Sequence, residues 1–216
     1  KKSVLELGGS NALVVFEDAN ITETVKTCVQ ARFQNTGQSC IAGKRLIVQE
    51  SIYEEFLEEF ITQVRELKSG DPVICDFGVF WDGYCSDITR TYFVGGEGSA
   101  EMQKIYKIVL EANKRSISAL KIGESGHQID KAGRAYISKE GYGRNFVHGT
   151  GHGFGLEIHE FPSITYKSKV VAKNSMAVTI EPGIYVPGKG GVRIEDDVLV
   201  TEGKPKILTK AKKELY

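Results

Sequence analysis

A chain of 216 residues with 41% hydrophobic and 26% charged residues has the balance of a folded protein, long enough for one large domain or two small ones. Lys plus Arg and Asp plus Glu are both 28, so the net charge is zero, and neither nucleic acid nor an anionic membrane is favoured as the main partner. No apolar run approaches about 18 residues, which argues against a membrane-spanning helix.

The start, KKSVLELGGS, has two lysines but no apolar stretch behind them, so it does not read as a signal peptide. The four cysteines (Cys28, Cys40, Cys75, Cys85) form no CxxC pair, a usage that points to reduced thiols and a cytoplasmic protein. Up to about Leu67 the pattern alternates. LELGG and NALVVF are apolar and rich in strand formers. Ile21 to Phe33 puts Val25, Val29 and Phe33 on one helical stripe. KRLIVQ predicts a short strand, and Ser51 is placed to cap the amphipathic helix YEEFLEEFITQVREL. Such alternation predicts a βαβα unit of α/β type with parallel strands.

SGDP, Ser69 to Pro72, punctuates the chain, and the pattern then changes. PVICDFGVF and YCSDITRTYFVG flank a turn at Trp81-Asp82-Gly83 and predict an antiparallel hairpin. Ser99 can cap a long helix through about Leu120, with Met102, Ile105, Tyr106, Val109 and Leu110 inward and Gly123 as its stop. A second helix is predicted from about Gln128 to Lys139. The remainder of the chain is Gly-rich and strand-like, with a further hairpin around PGKGG.

Carboxylates are poor strand formers, yet the first hairpin carries Asp76 and Asp87 on opposite strands with the parity that points both to one face. Unpaired, they would repel and raise one pKa. A divalent cation between them removes the conflict and prefers such hard oxygen ligands. Asp82 sits in the turn and needs no other role. The second hairpin repeats the arrangement, with Glu181 and Glu195 equidistant from a turn near Gly188. Between the hairpins lies HGTGHGFGLEIHE, with three of the chain's four histidines, His148, His152 and His159. Its glycines allow the close backbone approach of a site wall. An acidic hairpin pair is usually a solvated face, a histidine alone usually structural and a glycine run usually a loop. Two facing carboxylate pairs and a histidine cluster in one span favour a metal site instead.

SDITRT, HGTGHGFGLEIHE, EPGIY and GVRIEDDVLVTEG resemble the pita-bread metallopeptidases, and GIYVPGKGGVRIED is closer to their Xaa-Pro aminopeptidase and prolidase branch than to methionine aminopeptidases. The resemblance runs from about Asp71 to Leu208. It implies an α+β fold, a curved antiparallel sheet covered by helices. It implies Asp76, Asp87, His152, Glu181 and Glu195 as ligands of two divalent ions (Mn, Co or Zn), with Asp87 and Glu195 bridging. His148 and His159 would hold substrate and help move protons, Arg193 would support the site, and Glu181 would accept the proton of the attacking water. The implied substrate is a short peptide with proline at its second position.

Residues 1–70 resemble a different family, the catalytic domain of aldehyde dehydrogenases, through LELGGSNALVVFEDA, FQNTGQSCIAGKR, YEEFLEEF and LKSGDP. There Glu6 would match the general base and Cys40 the thiol nucleophile. No dinucleotide-binding unit with a glycine fingerprint accompanies them, so Cys40 has no hydride acceptor and reads as an inert or merely reactive thiol. The expected organisation is thus a chimera, with a dehydrogenase-like βαβα fragment at 1–70. Residues 71–216 would form a metallopeptidase portion lacking its first pseudo-symmetric half. Alternatives are a catalytically dead scaffold that still binds metal, and residual thiol chemistry at Cys40. An uncovered half-sheet would favour a homodimer.

Overall fold

The computed structural model describes residues 12–33, 45–64 and 68–213. The LELGG strand expected near the start, and with it Glu6 and Cys40, lie outside the described residues. Four elements come first. They are β1 (Ala12–Val15), α1 (Ile21–Phe33), β2 (Arg45–Val48) and α2 (Tyr53–Val64). β1 and β2 pair in parallel. Val15, Val25, Cys28 and Phe56 bury one another in a small core of their own. Ser51 does not cap α2. A single 3-10 turn, Glu50–Ile52, precedes that helix, and the Ser51 hydroxyl donates to Glu17 Oε2 at 3.0 Å instead.

The next ladder is antiparallel, β3 (Pro72–Phe77) on β6 (Ile88–Phe93), with β4 (Phe80–Trp81) on β5 (Tyr84–Cys85) at its tip. The two pairs keep one register across an interruption at Gly78, where a Cβ would stand 1.9 Å from the Ser86 carbonyl oxygen. Asp82 and Gly83 form the turn, both with positive φ, a backbone that Asp tolerates better than most residues.

Two helices cover the sheets. α3 (Ala100–Ala119) starts where the Ser99 hydroxyl accepts from the Met102 amide, as expected. α4 (Gly126–Lys139) begins two residues earlier than its apolar pattern suggests, because Ser125 caps it through the Gln128 amide. The N-terminal part of α3 buries Met102, Ile105, Tyr106 and Val109 against Ile184, Val192 and Ile194. Its C-terminal part, with Ile129 of α4, covers Ile164, Val178, Ile180 and Val198.

Those last residues belong to a five-stranded sheet of order β13-β12-β9-β7-β8. Its members are β7 (Gly151–Gly153), β8 (Glu160–Ile164), β9 (Ala177–Ile180), β12 (Asp196–Leu199) and β13 (Lys206–Ile207). The second hairpin, β10 (Gly183–Val186) with β11 (Gly190–Arg193), turns at Gly188 as its sequence predicts. The glycine-rich strand β7 lies so close to β9 that a Cβ on Gly151 would meet the Thr179 carbonyl oxygen at 1.9 Å. Only glycine allows that approach, and it brings His152 up to the end of β9 where Glu181 begins.

Candidate metal centre

Each acidic candidate sits at or beside a strand end, where an extended backbone fixes which face its side chain takes. Asp76 pairs with Thr89 in the ladder, and Asp87 lies two residues before Thr89, so the two aspartates are diagonal neighbours on one face. The β10–β11 register, Gly183 with Arg193, extends by two residues on each side to Glu181 and Glu195. The Glu195 amide donates to the Thr89 carbonyl at 3.1 Å, which ties the two hairpins together.

Asp87, His152 and Glu195 converge so that one potential ligand atom from each lies within 4.8 Å of the others. His152 Nε2 is 3.8 Å from Asp87 Oδ2 and 3.4 Å from Glu181 Oε1. Its Nδ1 lies 3.0 Å from the Gly153 carbonyl, which can only accept, so Nδ1 carries a proton and Nε2 is the ring atom directed at the carboxylates. A backbone carbonyl that fixes the tautomer in this way is the usual support of a metal-binding imidazole. The Thr179 hydroxyl donates to Glu181 Oε1 at 3.4 Å and accepts from the His152 amide at 3.1 Å.

Electrostatics define the site as sharply as distance. Burial pushes Glu181 well above the usual carboxylate range, and the charges of Glu195 and Asp76 add to the rise while Arg193 opposes it. Burial likewise raises Glu195, helped by Asp87 and Asp76 and resisted by Arg193 and the Thr89 hydroxyl, which donates to Glu195 Oε2 at 2.5 Å. Two glutamates raised by burial and by neighbouring carboxylates, with an imidazole beside them, fit divalent cations that take oxygen and nitrogen ligands.

The remaining candidates surround this cluster. Asp76 accepts from Arg193 Nη2 at 2.5 Å. Arg193 also donates to Tyr185 Oη at 3.1 Å and to Thr89 Oγ1 at 3.3 Å. The Tyr185 hydroxyl in turn meets His148 Nε2 at 2.6 Å. His148 Nδ1 faces the Gly149 carbonyl at 2.7 Å and must carry the proton, so Tyr185 donates to Nε2. Burial, with Arg193 and Arg134 nearby, lowers the His148 pKa to about 4. The His159 ring lies over that of His152, with centroids 4.1 Å apart. Sequence reasoning missed Tyr185, Thr89 and Thr179. Their hydroxyls look like those of ordinary strand residues until the register shows which acids they face.

Two β-hairpins and a glycine-rich strand that gather three acids and a histidine under covering helices define a metallopeptidase-like site. Comparison with known proteins agrees. Residues 26–202 match the family model described as metallopeptidase family M24, and the chain belongs to that family. The fold is accordingly the mixed α/β pita-bread fold. The Xaa-Pro dipeptidase of Pyrococcus furiosus is 48% identical over 151 residues, which is 70% of this chain and 43% of the relative. The solved Xaa-Pro dipeptidase from Bacillus anthracis superposes with a TM-score of 0.67 at 53% identity, over 68% of this chain and 41% of that one. The X-Pro aminopeptidase from Thermotoga maritima superposes with a TM-score of 0.66 at 31% identity, over 90% of this chain and 61% of that one. The chain thus spans less than half the length of that curated dipeptidase.

Proposed function

We propose that this chain is a divalent-metal-dependent peptidase that removes an N-terminal residue preceding proline. The observation that carries the reading is the convergence of Asp87, His152 and Glu195, with Glu181 beside them, in a chain similar to Xaa-Pro dipeptidases. Asp76 is taken as the fifth ligand of the two-ion set that the resemblance implies. Bound ions of this kind polarise a carbonyl and make water more acidic. Glu181, 3.4 Å from His152 Nε2 beside the cluster, takes the proton of the attacking water. Its Thr179 hydrogen bond holds it toward His152. His159, stacked on His152, is a substrate-holding group, His148 joins it by exchanging its Tyr185 hydrogen bond for one to substrate, and Arg193 keeps Asp76 and Tyr185 in place.

The test is hydrolysis of Xaa-Pro dipeptides by the protein loaded with Mn²⁺, Co²⁺ or Zn²⁺. Activity should vanish with chelator and return with metal, and Asp87→Ala and Glu195→Ala should each lose both metal and activity. Full metal content and full turnover in those variants would end the assignment.

A second reading has its own support. Among the described residues, Val15, Val25, Cys28 and Phe56 form a cluster that shares no member with the two clusters around the site. Residues 1–70 would then be a segment of aldehyde-dehydrogenase descent and 71–216 the peptidase portion, a scaffold that binds metal without turnover. Metal uptake with no Xaa-Pro hydrolysis is the outcome that favours it. Ester hydrolysis that survives chelator and is lost in Cys40→Ser would instead place chemistry at the thiol.

A further inference from the structure

We propose that the segment Thr209–Lys213 is a positioning strap that locks the two glutamate-bearing corners of the metal centre from behind. The inference rests on the reading of Glu181 and Glu195 as ligands. Glu195 occupies the corner between β11 and β12, and its backbone carbonyl accepts from Arg90 Nη1 at 2.5 Å. Arg90 is 1% exposed and reaches further, to the carbonyls of Thr89 (2.8 Å), Ala211 (2.7 Å) and Lys212 (3.1 Å).

Asp196, the residue after Glu195, is fully buried and has both carboxylate oxygens engaged. Oδ1 accepts from Arg90 Nη2 at 3.0 Å and from Thr209 Oγ1 at 2.8 Å. Oδ2 accepts from Lys213 Nζ at 2.5 Å. Lys213 Nζ also donates to Asn113 Oδ1 at 3.2 Å. The Asn113 amide then donates to the carbonyls of Ile180 (2.9 Å) and Ile194 (3.4 Å), the residues immediately before Glu181 and Glu195. Tyr106 of α3 fastens the end of the strap through the Lys213 carbonyl at 3.1 Å.

One buried network therefore grips the backbone at Thr89, Ile180, Ile194 and Glu195, and two of its anchors, Thr209 and Lys213, come from the strap. Neither anchor bonds to a ligand carboxylate. Their effect is to fix where the carboxylates stand, as outer-shell partners of metal ligands do, and loss of such partners typically lowers metal affinity about 10- to 100-fold.

The experiment compares Mn²⁺ affinity by titration calorimetry and the Co²⁺ absorption spectrum of the whole chain with those of Lys213→Met, Lys213→Arg and Thr209→Val. Lys213→Met should bind Mn²⁺ about tenfold more weakly and give a changed Co²⁺ spectrum, with Lys213→Arg restoring much of both. A strap that merely stabilises the fold would lower the melting temperature and leave affinity and spectrum alone, and that result overturns the proposal. Should Lys213→Met fail to fold, Thr209→Val, which removes one hydrogen bond to the Asp196 carboxylate, carries the test. An affinity loss of about threefold supports the strap, and wild-type binding refutes it. Glu195→Gln separates the two readings. If it binds Mn²⁺ like the wild type, the metal centre is wrong and the strap falls with it. If it loses the metal while the strap variants bind normally, the strap alone is wrong.

Discussion

Burial, together with Arg193 and Arg134, holds the His148 imidazole neutral down to about pH 4, whereas the same group in the unfolded chain titrates near its ordinary value of 6.5. Between those values the unfolded state binds the extra proton, so this contribution is complete above about pH 6.5 and is lost as pH falls toward 4. Glu181 and Glu195 are raised instead, so they contribute in the opposite sense, stabilising at low pH and less so as pH rises. A comparison with His148→Gln isolates the histidine, because both proteins share the acids. Urea unfolding of the metal-free proteins should show the wild type's advantage shrinking by about 3 kcal/mol between pH 7 and pH 4. A constant difference would mean that His148 is not held neutral. At this scale strand parity alone predicts which carboxylates share a face, whereas His152 is singled out from three clustered histidines only by the resemblance. Tyr185 and Thr89 could not be read from the sequence, because a strand hydroxyl gains meaning only when the register reveals its partner. The place of Asp76 needed geometry too, since its tight pairing with Arg193 crosses 117 positions of chain.

The histidine loop is set by α4. Arg134 makes a two-point ion pair with Asp130 one turn earlier, at 2.7 and 2.8 Å. The same guanidinium donates to the carbonyls of Phe146 (2.9 Å) and His148 (2.6 Å) and lies over the Phe146 ring at 3.9 Å. Asp130 is fully buried and also accepts from Thr150, so one element grips both ends of the loop that presents His148. Arg134→Met strands a buried carboxylate and should cost about 3–5 kcal/mol in chemical denaturation. Adding Asp130→Asn to that variant should recover a good part of the loss, because an amide tolerates burial without a cation. If the double variant were as unstable as the single, the cost would lie in the lost carbonyl contacts rather than in the charge. The periodicity of α4 predicted the helix but not this use of it, because Asp130 and Arg134 at four-residue spacing read as an ordinary surface pair. In the same way the sequence predicted one continuous hairpin from Pro72 to Phe93, and the ladder is instead interrupted at Gly78 without losing register. Capping obeyed its rules at Ser99 and Ser125 but not at Ser51, where a 3-10 turn intervened and Glu17 offered the hydroxyl a charged acceptor.

Across the whole molecule, the described apolar core falls into separate clusters. The one built from Val15, Val25, Cys28 and Phe56 draws only on elements before residue 65. The other two run along α3 and into the sheets that carry the acids. The elements before residue 68 make their main contacts within their own group, α1 with α2 and β1 with β2, while α3 contacts α4 and the site strands. Cooperative unfolding requires shared buried surface, and clusters with little in common can melt separately. Calorimetry of the intact chain should therefore show two transitions. Only the one containing the metal centre should respond to cation, because binding stabilises the unit that holds the ligands by mass action. With Mn²⁺ at about 100 times its dissociation constant the gain is about 2.7 kcal/mol, which for a unit of this size raises its midpoint by on the order of 5–10 °C. The other transition should stay where it was, and Glu195→Gln should abolish the shift while preserving both steps. A single transition displaced as a whole by Mn²⁺ would show instead that the first four elements fold as part of the peptidase. That result would bind them to the match with family M24, which begins at residue 26, within α1, and it would remove the physical basis for treating residues 1–70 as a separate segment.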